Sequence, residues 1–215
     1  MNRGAAMNIQ LLPHETTRPP DAVPETPVFR LTVDEYHAIQ SSGAFGDKYP
    51  LELLEGFLVS KMGEGPLHHC LLEALRRIVE RQLPAGLHVR TDGPLSLQSS
   101  EPEPDLAVVR GEFWDYRERH PAAVEAPVVI EIADSSLQRD LGWKKRIYAA
   151  EAVACYCVVD VPARRIVVHS QLDRSETPAR YSSIIEYSEG ETAELPCDKS
   201  QIAVNHAELF DGRRS

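Results

Sequence analysis

Two apolar runs that each carry one acidic residue decide how this sequence folds: PDLAVV at residues 104–109 and PVVIEIA at residues 127–133. Both runs have the length of a strand and the continuous apolar character of a strand buried in a sheet. Asp105 opens the first run, and Glu131 lies inside the second. A carboxylate on a buried strand is costly unless it is paired or binds a cation. Both residues therefore need a positively charged partner.

The segment after the second run supplies a candidate partner. Residues 135–150 predict a helix that carries Asp140 and Lys144, and the apolar residues 155–159 predict a strand after it. The i, i+4 spacing of Asp140 and Lys144 favours a pair in which Asp140 orients Lys144. The unit predicts a crossover between two strands of one sheet, which is right-handed if the strands are parallel.

A hypothesis about a site follows from these three segments. We expect Asp105, Glu131 and Lys144 to converge, with Asp105 and Glu131 holding a divalent metal ion. Carboxylate oxygens are the ligands that Mg²⁺ prefers, and Mn²⁺ accepts the same ligands. A nearby lysine can hold an attacking water or offset the charge on a phosphate.

The remaining elements build a layer of helices around a sheet. A capping box at Thr32 and Glu35 begins a short helix, and Glu55-Gly56 turns a hairpin. Residues 67–82 have the apolar stripe of an amphipathic helix. The order predicts a mixed α/β or α+β domain with a central mixed sheet flanked by helices. Further strands are expected at residues 87–90, 95–98, 165–169, 180–187 and 192–195, with the last two closing an antiparallel edge.

Length and composition limit the possible classes of protein. The 215 residues suit one domain, at residues 29–211, after a proline-rich leader at residues 1–28 in which Met1 or Met7 is the start. No apolar run is long enough to span a membrane, and the first ten residues lack the core of a secretory signal. Four cysteines without CxxC spacing are expected as free thiols in the cytoplasm. The net charge of −10 argues against tight non-specific DNA binding by a lone subunit, although a local basic groove is compatible with it.

An ordered set of motifs connects this chain to a known family. In chain order they are ELLEG at 52–56, His68 with its helix, Pro104-Asp105, VIEIADS at 129–135, Asp140 with Lys144 and Tyr148, and VACYCVVD at 153–160. This set, which extends over residues 30–210, resembles the Uma2 family, a domain of unknown function related to PD-(D/E)XK nucleases. The resemblance implies a restriction-endonuclease-like core and metal-dependent hydrolysis of phosphodiester bonds.

The resemblance also implies roles for particular residues. Asp105 and Glu131 match metal ligands, while Glu52 and His68 match other polar positions of the family. The lysine of a standard ExK motif would fall at residue 133, which is Ala133 here, and Lys144 on the following helix replaces it. Two structural positions depart from the family: Ala152 stands where glycine is usual, and Cys157 where tryptophan is usual.

Each site residue also has a simpler interpretation. Asp105 after a proline is typical of a turn, Glu131 is compatible with a salt bridge to an arginine, and Lys144 beside two basic residues is typical of a solvated face. Glu52 is either a third carboxylate near the metal or an ordinary charge at a strand end. His68 is expected at the rim of the cleft.

Two functions remain from the sequence. The first is a Mg²⁺- or Mn²⁺-dependent endonuclease, a hydrolase that acts on nucleic acid, with DNA expected rather than RNA. By analogy with enzymes that cut two strands, it would be a homodimer. The second is a catalytically inactive nuclease-like scaffold for dimerisation or partner binding. Substrate and cleavage specificity are not encoded in any motif of the chain.

Overall fold

A central sheet of six strands organises the structure, a computed structural model that describes residues 28–44, 50–61, 63–175 and 177–212. The predicted leader lies outside the described residues except for Val28. In chain order the helices and strands are α1 (Val33–Ser41), β1 (Leu51–Leu54), β2 (Phe57–Ser60), α2 (Pro66–Glu80), β3 (Leu87–Thr91), β4 (Leu106–Arg110), β5 (Val128–Ala133), α3 (Leu137–Arg139), a π-helical turn (Asp140–Lys144), α4 (Lys145–Ala150), β6 (Cys155–Asp160), β7 (Arg165–Asp173), β8 (Arg180–Tyr187), β9 (Thr192–Cys197), β10 (Ser200–Asn205) and α5 (His206–Asp211).

The spatial order of the sheet is β3-β4-β5-β6-β7-β8. Strands β5 and β6 are parallel, with Ile130 opposite Cys157, and the other neighbours are antiparallel. The predicted crossover is therefore confirmed, and so is the predicted mixed sheet flanked by helices. Both central strands are buried along their whole length, which explains their continuous apolar sequences.

The sheet separates two apolar layers. On one side, alternate residues such as Ile130 and Cys157 pack against α2 and the β9-β10 hairpin. On the other side, residues of opposite parity such as Val129 and Tyr156 pack against α4. Successive side chains of a strand point to opposite faces, so Glu131 lies on the α4 side with Val129. This parity places its carboxylate on the face where Lys144 is found.

Two strand predictions are wrong. Residues 95–98 form no named strand, because the backbone amides of Leu95 and Leu97 bond to the carbonyls of Pro102 and Ser100 and the segment turns on itself. Strand β8 does end the sheet, but β9 does not join it and pairs with β10 instead. The alternate residues of this hairpin cover the apolar layer beside α2, which buries more apolar surface than an exposed edge position would.

The described part of the chain contains no helix with both the length and the apolar composition needed to cross a membrane.

Helix α2 offers a paired test of the core. Leu75 is 1% exposed and Leu67 is 56% exposed on the same helix. We expect Leu75→Ala to lower the free energy of unfolding by about 2–5 kcal/mol, since it removes buried methyl groups and leaves a cavity. Leu67→Ala should change it by less than about 0.5 kcal/mol. Urea denaturation followed by circular dichroism measures both, and equal losses would contradict this packing.

Candidate active site

One cleft, beside the start of β4 and the end of β5, collects most of the predicted site residues. Asp105, Glu131, Lys144, Glu52 and His68 all line it. Six carboxylates and three cationic side chains line the cleft, so negative charge is in excess there. The carboxylates belong to Glu52, Glu64, Glu103, Asp105, Glu131 and Asp134, and the cations to Lys61, Arg139 and Lys144.

Asp105 and Glu131 are brought together by strand register. Leu106 pairs with Ile130 in the antiparallel β4-β5 ladder, and extending the ladder by one residue sets Asp105 opposite Glu131. Asp105 Oδ2 also accepts a hydrogen bond from the backbone amide of Ile132 at 2.5 Å. Burial nevertheless raises the pKa of Asp105 to about 7, because the carboxylate loses solvation that one backbone amide does not replace.

Lys144 connects the helix to the sheet through a buried ion-pair network. Its Nζ lies 3.0 Å from Glu131 Oε1 and 3.0 Å from Glu52 Oε2, and all three residues are at most 3% exposed. Tyr148 donates a hydrogen bond from its hydroxyl to Glu131 Oε1 at 3.1 Å. Lys144 therefore faces Glu131, as expected, and does not form a solvated basic face.

The pKa values in this network reflect burial and charge together. Burial raises the pKa of Glu131, and Lys144 offsets only part of that shift because other carboxylates are close. Burial alone would lower the pKa of Lys144, but attraction to Glu131 and Glu52 outweighs it and the pKa rises. Lys144 therefore stays a cation in the metal-free cleft.

Asp140 does not hold Lys144 as the i, i+4 spacing predicted. The segment from Asp140 to Lys144 is a π-helical turn, whose wider winding removes the side-chain alignment that an α-helix gives at that spacing. Among the described residues, the Asp140 carboxylate accepts a hydrogen bond from Ser136 and lies 3.6 Å from Arg139 Nε. Asp140 is buried behind the cleft rather than in its lining. Glu52 and Glu131 make the contact with Lys144 that was predicted for Asp140.

Glu52 is a buried partner of two cations and not an ordinary charge at a strand end. It lies on β1, is 0% exposed, and has Oε1 3.6 Å from Arg139 Nη1 in addition to its contact with Lys144. The β1-β2 hairpin thus carries a carboxylate into the cleft from outside the main sheet.

His68 forms a second cluster with Asp105 and Glu64. One possible ligand atom from each of these residues lies within 4.8 Å of the others. His68 Nε2 is 3.3 Å from Asp105 Oδ1 but makes no hydrogen bond among the described residues. Burial lowers the pKa of His68, which favours the neutral imidazole. His69 points to solvent instead, with a side chain that is 63% exposed.

Glu64 and Arg139 contact predicted site residues but were not themselves predicted from the sequence. Glu64 precedes His68 by four residues, a spacing that could have identified it had the loop been treated as part of the site. Arg139 has no such signal, because only the packing of the β1-β2 hairpin against the helix brings it near Glu52.

Comparison with known proteins agrees with this fold. Residues 33–198 match the model of the Uma2 family, described as “Putative restriction endonuclease”. A crystal structure of a “putative nuclease belonging to DUF820” from Anabaena variabilis ATCC 29413 superposes with a TM-score of 0.63 at 12% sequence identity. The alignment covers 84% of this chain and 98% of that one. No curated protein matches the chain.

The ion-pair network predicts a large effect for Lys144. Lys144→Met leaves the buried Glu131 without its cation and leaves Glu52 with Arg139, at 3.6 Å, so we expect the free energy of unfolding to fall by about 3–5 kcal/mol at pH 7.5. Lys145→Met, a change at the neighbouring and more exposed lysine, should cost less than about 0.5 kcal/mol. Chemical denaturation in the presence of a chelator measures both, and a stable Lys144→Met protein would rule out the network.

The raised pKa of Asp105 predicts how stability depends on pH. Its folded pKa of about 7 exceeds the unfolded value, so its stabilising contribution is complete below about pH 4 and is lost as pH rises through 7. Asp105→Asn keeps an oxygen for the Ile132 amide but cannot ionise. We expect this variant to gain stability relative to wild type between pH 5 and 8, by up to about 4 kcal/mol without metal. Thermal unfolding measures the difference in stability between the variant and wild type. A difference that stays constant from pH 5 to 8 would contradict the raised pKa of Asp105.

Proposed function

This chain belongs to the Uma2 family, and we propose that it is a metal-dependent endonuclease that hydrolyses phosphodiester bonds in nucleic acid. The observation that carries the proposal is the position of Lys144, whose Nζ is 3.0 Å from Glu131, beside Asp105. The chain has Ala133 where a standard ExK motif has its lysine. The Lys144 ammonium reaches the Glu131 carboxylate from the helix, so it can replace the ammonium of the lysine that is absent at residue 133.

The cleft has the composition that a divalent cation requires. Asp105 and Glu131 would hold the ion, which we propose to be Mg²⁺ or Mn²⁺. Two properties of the cleft support this fit: burial raises the pKa of Asp105, and the buried His68 Nε2 has no hydrogen-bond partner among the described residues. When bound, such an ion polarises the phosphate and activates water for attack.

Lys144 is the proposed positioning group for the attacking water. An ammonium has three N–H donors. Lys144 donates one to Glu131 Oε1 and has Glu52 Oε2 at ion-pair distance, 3.0 Å, so at least one donor remains for a water or a phosphate oxygen. Its fixed charge stabilises the negative charge that develops on the phosphate. Tyr148 holds Glu131 Oε1 from the other side and so limits the rotation of that carboxylate.

Arg139 and Lys61 are the further cations that a phosphate would meet on entering the cleft. They help to offset the repulsion that a chain of net charge −10 presents to a polyanion. We propose DNA rather than RNA as the substrate. We also propose a cytoplasmic homodimer, which would place two clefts on a duplex.

A nuclease assay tests the function directly. Wild-type protein should cleave DNA only with Mg²⁺ or Mn²⁺, and Asp105→Asn and Glu131→Gln should each lose at least about 100-fold in rate, the scale of losing one preorganised electrostatic group. Glu118→Gln changes an 82% exposed side chain and is the matched control.

The substrate panel should include single- and double-stranded DNA and RNA, and circular dichroism should confirm that each variant is folded. Equal cleavage by all four proteins would reject the assigned residues. A folded wild type that cleaves none of these substrates with either ion would instead support the inactive scaffold.

A further inference from the structure

The cluster of Glu64, His68 and Asp105 has properties that the pair of Asp105 and Glu131 does not explain. Glu64 lies in the loop before α2, His68 is the third residue of α2, and Asp105 precedes β4. Two segments of chain, residues 64–68 and the residue before β4, thus bring three possible ligand atoms to within 4.8 Å of one another. Glu131 is not a member of this group.

His68 indicates that the cluster is more than a group of acidic side chains. The residue is 94% buried, lines the cleft, and has an Nε2 atom that no described group hydrogen-bonds. A buried ring nitrogen without a partner is costly. Asp105 Oδ1 is close, at 3.3 Å, but the ring and the carboxylate are not aligned for a hydrogen bond. A cation bound between the ring and the carboxylate would be coordinated by His68 Nε2 and Asp105 Oδ1.

The local electrostatics suit a cation despite the adjacent helix. The N-terminus of α2 carries a partial positive charge, which favours the Glu64 carboxylate but opposes a metal ion. Two carboxylates in the cluster, with Glu131 and Asp134 also lining the cleft, outweigh that partial charge.

The type of ligand determines which ion is preferred. Mg²⁺ prefers oxygen ligands and seldom takes nitrogen, whereas imidazole is a good ligand for first-row transition ions. Replacing one oxygen ligand by the His68 ring therefore favours Mn²⁺ and the later ions of the series over Mg²⁺. Three protein ligands also leave coordination positions for water or a phosphate oxygen.

We infer that Glu64, His68 and Asp105 form a divalent-cation site with one nitrogen ligand, which binds first-row transition ions such as Mn²⁺ in preference to Mg²⁺. This inference rests on the proposed function, because Asp105 belongs both to the proposed active site and to this cation site. It gives His68 and Glu64 the role of metal ligands.

Metal binding without nucleic acid tests the inference. The probes are Mn²⁺, followed by the paramagnetic resonance signal of the free ion, and Mg²⁺, added as a competitor to the full chain. We expect wild type to bind Mn²⁺ at least about tenfold more tightly than Mg²⁺. His68→Gln should weaken Mn²⁺ binding by about tenfold or more while it changes Mg²⁺ binding by less than about threefold. The preference for Mn²⁺ over Mg²⁺ should therefore be smaller in His68→Gln than in wild type.

Two further variants make the test specific. His69→Gln changes the neighbouring, mostly exposed imidazole and should leave Mn²⁺ affinity within about twofold of wild type. Glu64→Gln, at a side chain that is 27% exposed and tolerant of substitution, should weaken the binding of both ions. If thermal unfolding shows that His68→Gln is not folded, Glu64→Gln is used in its place to test the ligand set.

The results separate this inference from the proposed function. Mn²⁺ affinity that is unchanged in His68→Gln and in Glu64→Gln, or absent in wild type, overturns the ligand set. Cleavage of DNA by wild type with Mg²⁺, together with Mn²⁺ affinity that is unchanged in both variants, would leave the nuclease intact while rejecting the site. Mn²⁺ binding that depends on His68 in a protein without nuclease activity would support the site and reject the nuclease.

Discussion

The buried ammonium of Lys144 is the interaction on which the arrangement of the cleft depends. It lies between Glu52 on the β1-β2 hairpin and Glu131 on the central strand β5, so one charge joins three separate elements. Buried carboxylates repel each other and lose solvation, so burying these two side chains together is costly without a cation between them. The π-helical turn that ends at Lys144 sets the direction of the side chain. The network is therefore structural as well as available for chemistry.

The cleft contains two neighbouring electrostatic regions with Asp105 near their boundary. On one side, Lys144 neutralises Glu131 and Glu52; on the other, the buried nitrogen of His68 faces Asp105 without a hydrogen bond. Burial is the main reason that the pKa of Asp105 is raised to about 7, although the Ile132 amide and Lys144 both act to lower it. A fixed ammonium beside a carboxylate and an imidazole that could hold a cation fits the metal-assisted phosphoryl transfer that we propose.

The sequence predicted the elements with strong local patterns and missed those that depend on partners. The continuous apolar runs of β4, β5 and β6 and the stripe of α2 were identified because their periodicity reflects burial directly. The segment at residues 95–98 was taken for a strand because buried leucines alternate there, although its amides bond locally. The β9-β10 hairpin is absent from the sequence predictions because residues 200–205 are not identified as a strand, and the pattern of a strand does not specify its neighbour.

By itself, the sequence determined that Asp105 and Glu131 lie on adjacent buried strands and that both need a positive partner, since burying a charge is costly in any fold. It also determined the order of motifs by which the family is identified. Only the tertiary structure decided which groups meet those charges. Lys144 is held by Glu52 and Glu131 rather than Asp140, because a π-helical turn cannot be inferred from i, i+4 spacing. Glu64 and His68 approach Asp105 because α2 packs against the sheet, a contact between residues distant in the chain.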